Sequence, residues 1–190
     1  MRVLVVYESV YGNTREVAEA VRDGLTESVD VTISPVHEAG AAADVDLLVV
    51  GGPTHMHGLT TASSRRMAVT AAREDSGSFE AGAGQEPGLR PWLHELPRRA
   101  GGLAATFDTR LDRSAVLTGS AARGIARRLR HHGYDVVATE SFLVDDAEGP
   151  LADGELERAR TWGLSLARKL EAASSIGPAS PSDDTASFAG

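Results

Sequence analysis

The chain has 190 residues, enough for one domain with a large apolar core and no covalent staple. It contains no cysteine, which excludes disulfides, thiolate zinc sites, iron–sulfur clusters and a cysteine nucleophile. A formal charge of −8 argues against a nucleic-acid partner, and no apolar run is long enough to predict membrane insertion or a signal segment, so the expected location is the cytoplasm.

Val3-Leu4-Val5-Val6-Tyr7 is continuously apolar, the pattern of a strand covered on both faces of a parallel sheet. Residues 14–27 place Val17, Ala18, Val21 and Leu25 at helical spacing. Asp30 to Ile33 reads as a short second strand, and Val45 to Val50 as a third, ended by Gly51-Gly52-Pro53. The stretch 74–90 crowds Gly77, Gly82, Gly84 and Gly88 with Glu74, Asp75, Glu80 and Glu86, and is expected to be a mobile surface loop. Leu89 to Leu93 is expected to form a short helix that packs Trp92 inward.

Leu103 to Phe107 predicts a fourth strand. Ala121 to His131 predicts a basic helix stopping at Gly133, and Val136 to Val144 contains a fifth strand. The last helix is expected over 155–170, with Leu156, Ala159, Gly163, Leu166, Ala167 and Leu170 inward and Asp153 as its cap. Residues 171–190, rich in Ser, Ala, Pro and Asp, read as a disordered tail behind a domain of residues 1–170. Strands alternating with helices predict an α/β domain, a doubly wound parallel sheet with helices on both faces. Such sheets bind ligands at the carboxyl ends of their strands, near the switch in strand order.

The first strand runs into Glu8-Ser9-Val10-Tyr11-Gly12-Asn13-Thr14 and then a helix. Ser9 and Thr14 offer hydroxyls, Asn13 an amide, and Gly12 a tight turn. The helix start adds free N–H groups and a positive dipole end, which together make an anion site that needs no cation. No Gly-Lys-Ser/Thr follows, and the G-x-G-x-x-G spacing is absent, so this is neither a Walker loop nor a dinucleotide fingerprint. A plain Ser/Asn-rich turn capping a helix gives the same composition.

The stretch Tyr7 to Thr14 resembles the phosphate loop of flavodoxins, a hydroxyl residue followed by Gly-Asn-Thr after the first strand. The resemblance implies a five-stranded sheet of order 2-1-3-4-5 and flavin mononucleotide (FMN) as cofactor, with Ser9, Val10, Tyr11, Gly12, Asn13 and Thr14 around its phosphate. It departs at Tyr11, where many flavodoxins carry a second small hydroxyl residue. It maps Pro53, Thr54, His55, Met56, His57 and Gly58 onto the loop beside the flavin ring, with backbone near His57 and Gly58 meeting flavin N5. Phe107, Asp108, Thr109 and Arg110 map onto the loop covering the other side, although Phe107 also reads as the end of a core strand. Flavodoxins often place a stacking tyrosine there, and this chain has none between Asp108 and Ala121.

The implied function is electron transfer with a redox partner protein or a small-molecule donor or acceptor. The alternatives are an FMN-dependent oxidoreductase of quinone or protoporphyrinogen type, and a scaffold that has lost its cofactor. His55 and His57 with His94 leave a metal site open, as they do the reading of solvated loop histidines without a role. Arg123, Arg127, Arg128 and Arg130 with His131 and His132 form a basic face, either solvated or a dock for an acidic partner or nucleotide phosphates. Ser114, Ser120 and Ser141 lack the G-x-S-x-G elbow, and Ser120 reads as a helix cap.

Overall fold

Val3, Val5 and Tyr7 face one side of the first strand and Val6 the other, and both sets are buried. Burial on both faces is the condition a central parallel strand must meet. A computed structural model describes residues 1–42, 44–55, 58–74, 80, 82–112, 119–146 and 148–175. In it β1 (Arg2–Tyr7) lies between β2 (Asp30–Pro35) and β3 (Leu47–His55), and β5 (Gly102–Leu111) and β6 (Tyr134–Val144) extend the sheet past β3. Every pairing along that path is parallel. The two-residue β4 (Gly58–Leu59) folds back antiparallel on the end of β3. With β4 set aside, the order β2-β1-β3-β5-β6 is the expected one.

Helices cover both faces. α1 (Asn13–Leu25) and α5 (Glu155–Ser175) bury Val17, Val21, Leu25, Leu166 and Leu170 against Val3, Val5, Val49 and Phe107. On the other face α3 (Leu89–Glu95) and α4 (Ala121–His131) bury Leu89, Trp92, Leu93, Ile125 and Leu129 against Val6, Leu48 and Val50. Trp92 packs inward as expected, and its indole Nε1 donates to the carbonyls of Ala39 and Gly40 at 3.2 and 3.3 Å. α2 (Ala62–Glu74) follows β4.

The structure corrects several sequence expectations. Gly51-Gly52-Pro53 does not end β3; these residues stay in the sheet opposite Phe107, Asp108 and Thr109. The glycines are there for packing. A Cβ on Gly51 would collide with the Phe107 ring, and one on Gly52 would come within 2.6 Å of Leu89 Cδ1. The Phe107 ring is thereby seated in an edge-to-face cluster with Phe142 and Trp162, at centroid separations of 6.1–6.2 Å.

β5 likewise runs four residues past Phe107, because β6 pairs with it as far as Leu111. α5 continues to Ser175, five residues into the expected tail, and residues 176–190 lie outside the described residues. Leu156 is 44% exposed rather than inward. The inward neighbour is Glu155, which accepts from the Leu143 amide at 2.8 Å and from Arg158. Part of 74–90 falls outside the described residues, but its described end is packed, with Leu89 fully buried.

Gly51→Val should lower the guanidinium chloride midpoint by the equivalent of about 1–3 kcal/mol, since the Phe107 ring must move. Gly40→Ala, with no atom within 4 Å of the added carbon, should stay within about 0.5 kcal/mol of the parent. Burial pushes the Glu155 carboxyl up, but its hydrogen bonds from Arg158 and Leu143 outweigh that and hold it below the usual carboxylate range. Its contribution is therefore present above the ordinary carboxylate pKa and lost as pH falls through the lowered folded value. Denaturation at pH 7 and pH 3 should show a smaller acid loss in Glu155→Gln than in the parent.

Candidate functional site

The sheet fixes where the first loop can go. The Glu8 amide donates to the Gly51 carbonyl at 3.0 Å, carrying the β1–β3 ladder one step beyond the strand. The chain then leaves the sheet between its two directions of winding, since β2 lies on one side of β1 and β3 on the other. Gly12 closes the loop in the left-handed region at φ 94°, a conformation other residues adopt only with strain. Its amide donates to Ser9 Oγ at 3.1 Å, and its carbonyl accepts the first bond of α1 from Glu16 at 3.0 Å.

No side chain caps the N-terminus of α1. The amides of its first turn have no intrahelical acceptor and carry the positive end of the helix dipole. A cavity of about 200 Å³ opens there. Ser9, Val10, Tyr11, Asn13 and Thr14 line it from the loop, Pro53, Thr54 and His55 from β3, and Thr109 and Arg110 from β5. The three sequence regions expected to hold a cofactor thus converge on one space. Thr14 and Thr109 share a hydroxyl–hydroxyl bond of 2.7 Å, tying the first turn of α1 to the end of β5.

The second helix that begins at this end of the sheet is closed. Asp108, fully buried in β5, accepts from the Ala122 amide at 2.9 Å, Ser120 Oγ at 2.7 Å and Thr54 Oγ1 at 2.9 Å. Ser120 caps the same helix by accepting from the Arg123 amide at 3.2 Å, as its sequence position suggested. A protein carboxylate thus occupies the dipole end of α4, while α1 keeps its end open to the cavity. The residues fit an anionic group at α1, whereas the start of α4 already has its own in Asp108.

Some expected site residues lie elsewhere. Phe107 is in the aromatic core and Asp108 under α4, and neither lines the cavity. Gly12 shapes the loop without lining it, and Gly58 lies in β4 outside the lining. The Asn13 side chain donates to the Glu148 carbonyl at 2.9 Å, so it braces the loop after β6. Met56 and His57 lie outside the described residues. Among the described residues no three histidine, aspartate or glutamate side chains converge on a metal position. The basic face of α4 ends beside His132, whose carbonyl accepts from the Arg99 amide just before β5 starts. The face thus runs the length of α4, from Arg123 at the Ser120 cap to His131 and His132 at the other edge of the sheet.

The sequence reading missed the wall that α2 supplies. Ser64, Arg65 and Ala68 of α2 line the cavity, together with Thr60, Leu111 and Val144. Glu8 and Arg65 are 5% and 2% exposed. Glu8 accepts from Thr60 Oγ1 and from the Leu89 amide at 2.8 Å, and Arg65 Nη1 stands 3.4 Å from it. Arg65 Nη2 meets Glu86 at 2.5 Å. Behind the loop, the Glu80 amide donates to the Val10 carbonyl at 2.8 Å. Tyr7 Oη lies 3.4 Å from Glu80, and burial followed by that carboxylate pushes the phenol up to about 12, keeping it a neutral donor.

Residues 4–65 match the model of the flavodoxin domain family. A comparison with curated proteins found no match. Among solved structures, a flavodoxin of Streptococcus pneumoniae TIGR4 superposes with a TM-score of 0.60 at 17% identity, over 89% of this chain and 99% of that one. A flavodoxin from the domain Archaea gives 0.58 at 19% identity, over 90% and 99%. Two-electron reduced Megasphaera elsdenii flavodoxin gives 0.58 at 20% identity, over 87% and 98%. At these identities the likeness is one of fold, and it spans nearly the whole length of each of these flavodoxins.

Asp108→Ala should cost about 1–3 kcal/mol in a chemical denaturation, because it strands the buried donors of Thr54, Ser120 and Ala122. Asp108→Asn keeps an acceptor and should lose less; equal losses would show that Asp108 does not hold α4 through these bonds.

Proposed function

The chain is flavodoxin-like in fold, and we propose that it binds FMN by its phosphate at the open end of α1 and takes part in electron transfer. The observation that carries this reading is the contrast between two helix ends at one edge of the sheet. α4 is neutralised by Asp108, whereas α1 has no side-chain cap and faces a cavity with Ser9 and Thr14 at its rim. A phosphate accepts from several first-turn amides at once and interacts favourably with the dipole.

The chain's own part is to bind and orient. Gly12 turns the loop so that α1 begins at the cavity, and Thr109 fixes the Thr14 hydroxyl beside it. Pro53 to His55 and Thr109 to Arg110 bound the space where a ring would extend. FMN, when bound, supplies the one- or two-electron chemistry, and no side chain here need act as acid or base.

The absence of any aromatic residue from Thr109 to Ser120, with Phe107 drawn into the core, favours a second reading. An uncovered ring face leaves room for a small-molecule substrate, as an FMN-dependent oxidoreductase requires. Two separated one-electron steps during stepwise reduction would favour the carrier. Steady turnover of a pyridine nucleotide with a quinone would favour the enzyme.

Absorption of the purified protein, followed by release and identification of its flavin, tests the reading directly. Thr14→Val should weaken FMN binding about ten- to a hundredfold, the loss of one hydrogen bond to a charged group. Asn13→Ala should weaken it less, because that side chain is spent on Glu148. FMN affinity unchanged in Thr14→Val would remove the phosphate from this loop.

A further inference from the structure

We propose that an arginine stripe on α4, formed by Arg123, Arg127 and Arg130, is a docking face for an acidic protein that exchanges electrons at the cavity. That the partner is a redox protein rests on the FMN reading; the docking face itself does not.

The three side chains are spaced four and three residues apart, so they share one side of the helix, and all three are exposed. The stripe is about 10 Å long at the rise of an α-helix. Nothing in the chain offsets its charge. The sequence holds no aspartate or glutamate between Asp112 and Asp135. Among the described residues, the arginines in ion pairs are Arg15, Arg22, Arg65, Arg158 and Arg160, and none belongs to α4. Like charges four residues apart destabilise a helix. The negative end of the helix dipole favours Arg130, but Arg123 stands in the first turn, where a cation gains nothing from it.

The positive charge continues around the helix. A cavity of about 350 Å³ between α3 and α4 is lined by Leu93, His94, Arg127, Arg128, His131 and His132. Burial, then Arg90 and Arg127, push the Arg128 guanidinium below its ordinary range. Burial, then His131 and Arg98, do the same to the His132 imidazole. This crowding of cations costs the free protein stability, and carboxylates supplied from outside offset it.

The distribution of charge points to the occupant. The acidic excess lies across the sheet, where Glu16, Glu19, Asp23 and Glu157 line a groove between α1 and α5. A nucleic-acid duplex or an anionic bilayer spreads its charge well beyond the stripe and meets the rest of a chain that carries −8. A protein presents its carboxylates as a local patch, which matches the stripe. Its place on the molecule fits electron exchange. The Ala121 amide, at the start of α4, donates at 2.9 Å to Thr54 Oγ1, and Thr54 lines the cavity. A partner lying along the stripe therefore has one end beside the cavity.

The test is calorimetric titration of the purified protein with an acidic plant-type two-iron ferredoxin, at low and at physiological ionic strength. Ferredoxin should bind, and bind more weakly as salt rises. Arg123→Glu with Arg127→Glu should weaken it about ten- to a hundredfold. Arg22→Glu with Arg160→Glu, which changes the net charge equally on the α1–α5 face, should change it less than about twofold. FMN affinity should stay at the parent value in both pairs, since none of the four side chains lines that cavity. If the α4 pair fails to fold, Arg127→Gln alone decides, with about two- to fivefold weakening expected. Equal weakening by both pairs shows a response to net charge alone and overturns the proposal, as does a parent that does not bind ferredoxin. Inorganic pyrophosphate that binds at Arg127 where ferredoxin does not would assign the face to a small anion and overturn it too. Self-association of the parent that the α4 pair abolishes would seat a second copy there, with the same consequence. A parent that takes up no flavin yet binds ferredoxin through α4 defeats the FMN reading and upholds the docking face.

Discussion

Everything at the functional end of this molecule depends on how the chain deals with unsatisfied amides at the starts of two helices. A helix cannot use its first N–H groups internally, and a parallel α/β sheet aims several helix starts at the same edge. At α4 the chain answers with its own anion, the buried Asp108 carboxylate, backed by Ser120 and Thr54. At α1 it supplies a glycine at φ 94° and no cap. The uncapped end needs an acceptor from outside, water or an anion, and the cavity in front of it decides which anions reach it. Fold and site are therefore one problem: the strand order that puts β2 and β3 on opposite sides of β1 also creates the opening.

Holding that opening in shape is a long-range task. The loop from Glu8 to Gly12 is bound to Gly51 in β3 and to Glu80 at the far end of the 60–89 excursion, while the preceding Tyr7 carbonyl accepts from Val36 after β2. Glu8 fastens Thr60, Arg65 and the start of α3. A stretch whose composition suggests an idle surface loop thus buttresses the loop after β1 from behind. Buried polar groups of this kind stabilise little in net terms, but a lost partner is costly, so they fix one geometry.

The division between what the sequence disclosed and what it concealed follows contact range. Apolar runs such as Val3 to Tyr7, the 3.6-residue spacing of α1 and α4, and the hydroxyl–glycine–amide string from Ser9 to Thr14 are local patterns, and each was legible. The sheet order was legible through the resemblance those residues carry. Gly51 and Gly52 misled because a glycine that ends a strand and one that admits a neighbour look alike until Phe107 and Leu89 are in place. β5 was cut short for a related reason: Asp108 to Arg110 are polar or charged but are held in the sheet by β6. Arg65 was invisible, since its partner Glu8 is 57 residues away and nothing in the spacing of either announces the pair.

The two ends of the site differ in how they are built, and that difference bears on how a bound flavin would be used. The end at α1 is dense with buried partners: Thr14 with Thr109, Ser9 with Gly12, Glu8 with Arg65. The ring end is bounded by Pro53, Thr54, His55 and Arg110, without a stacking aromatic from the β5 side. Under the proposed function, binding energy then concentrates on the phosphate, and the ring is held by its tether more than by its faces. A ring held that way stays accessible to whatever exchanges electrons with it, and its potential is set less by stacking than by the charges nearby. Among those the described structure offers Arg110 at the ring end and the Glu8–Arg65 pair at the other, so the balance between them is the lever through which this chain would tune its cofactor.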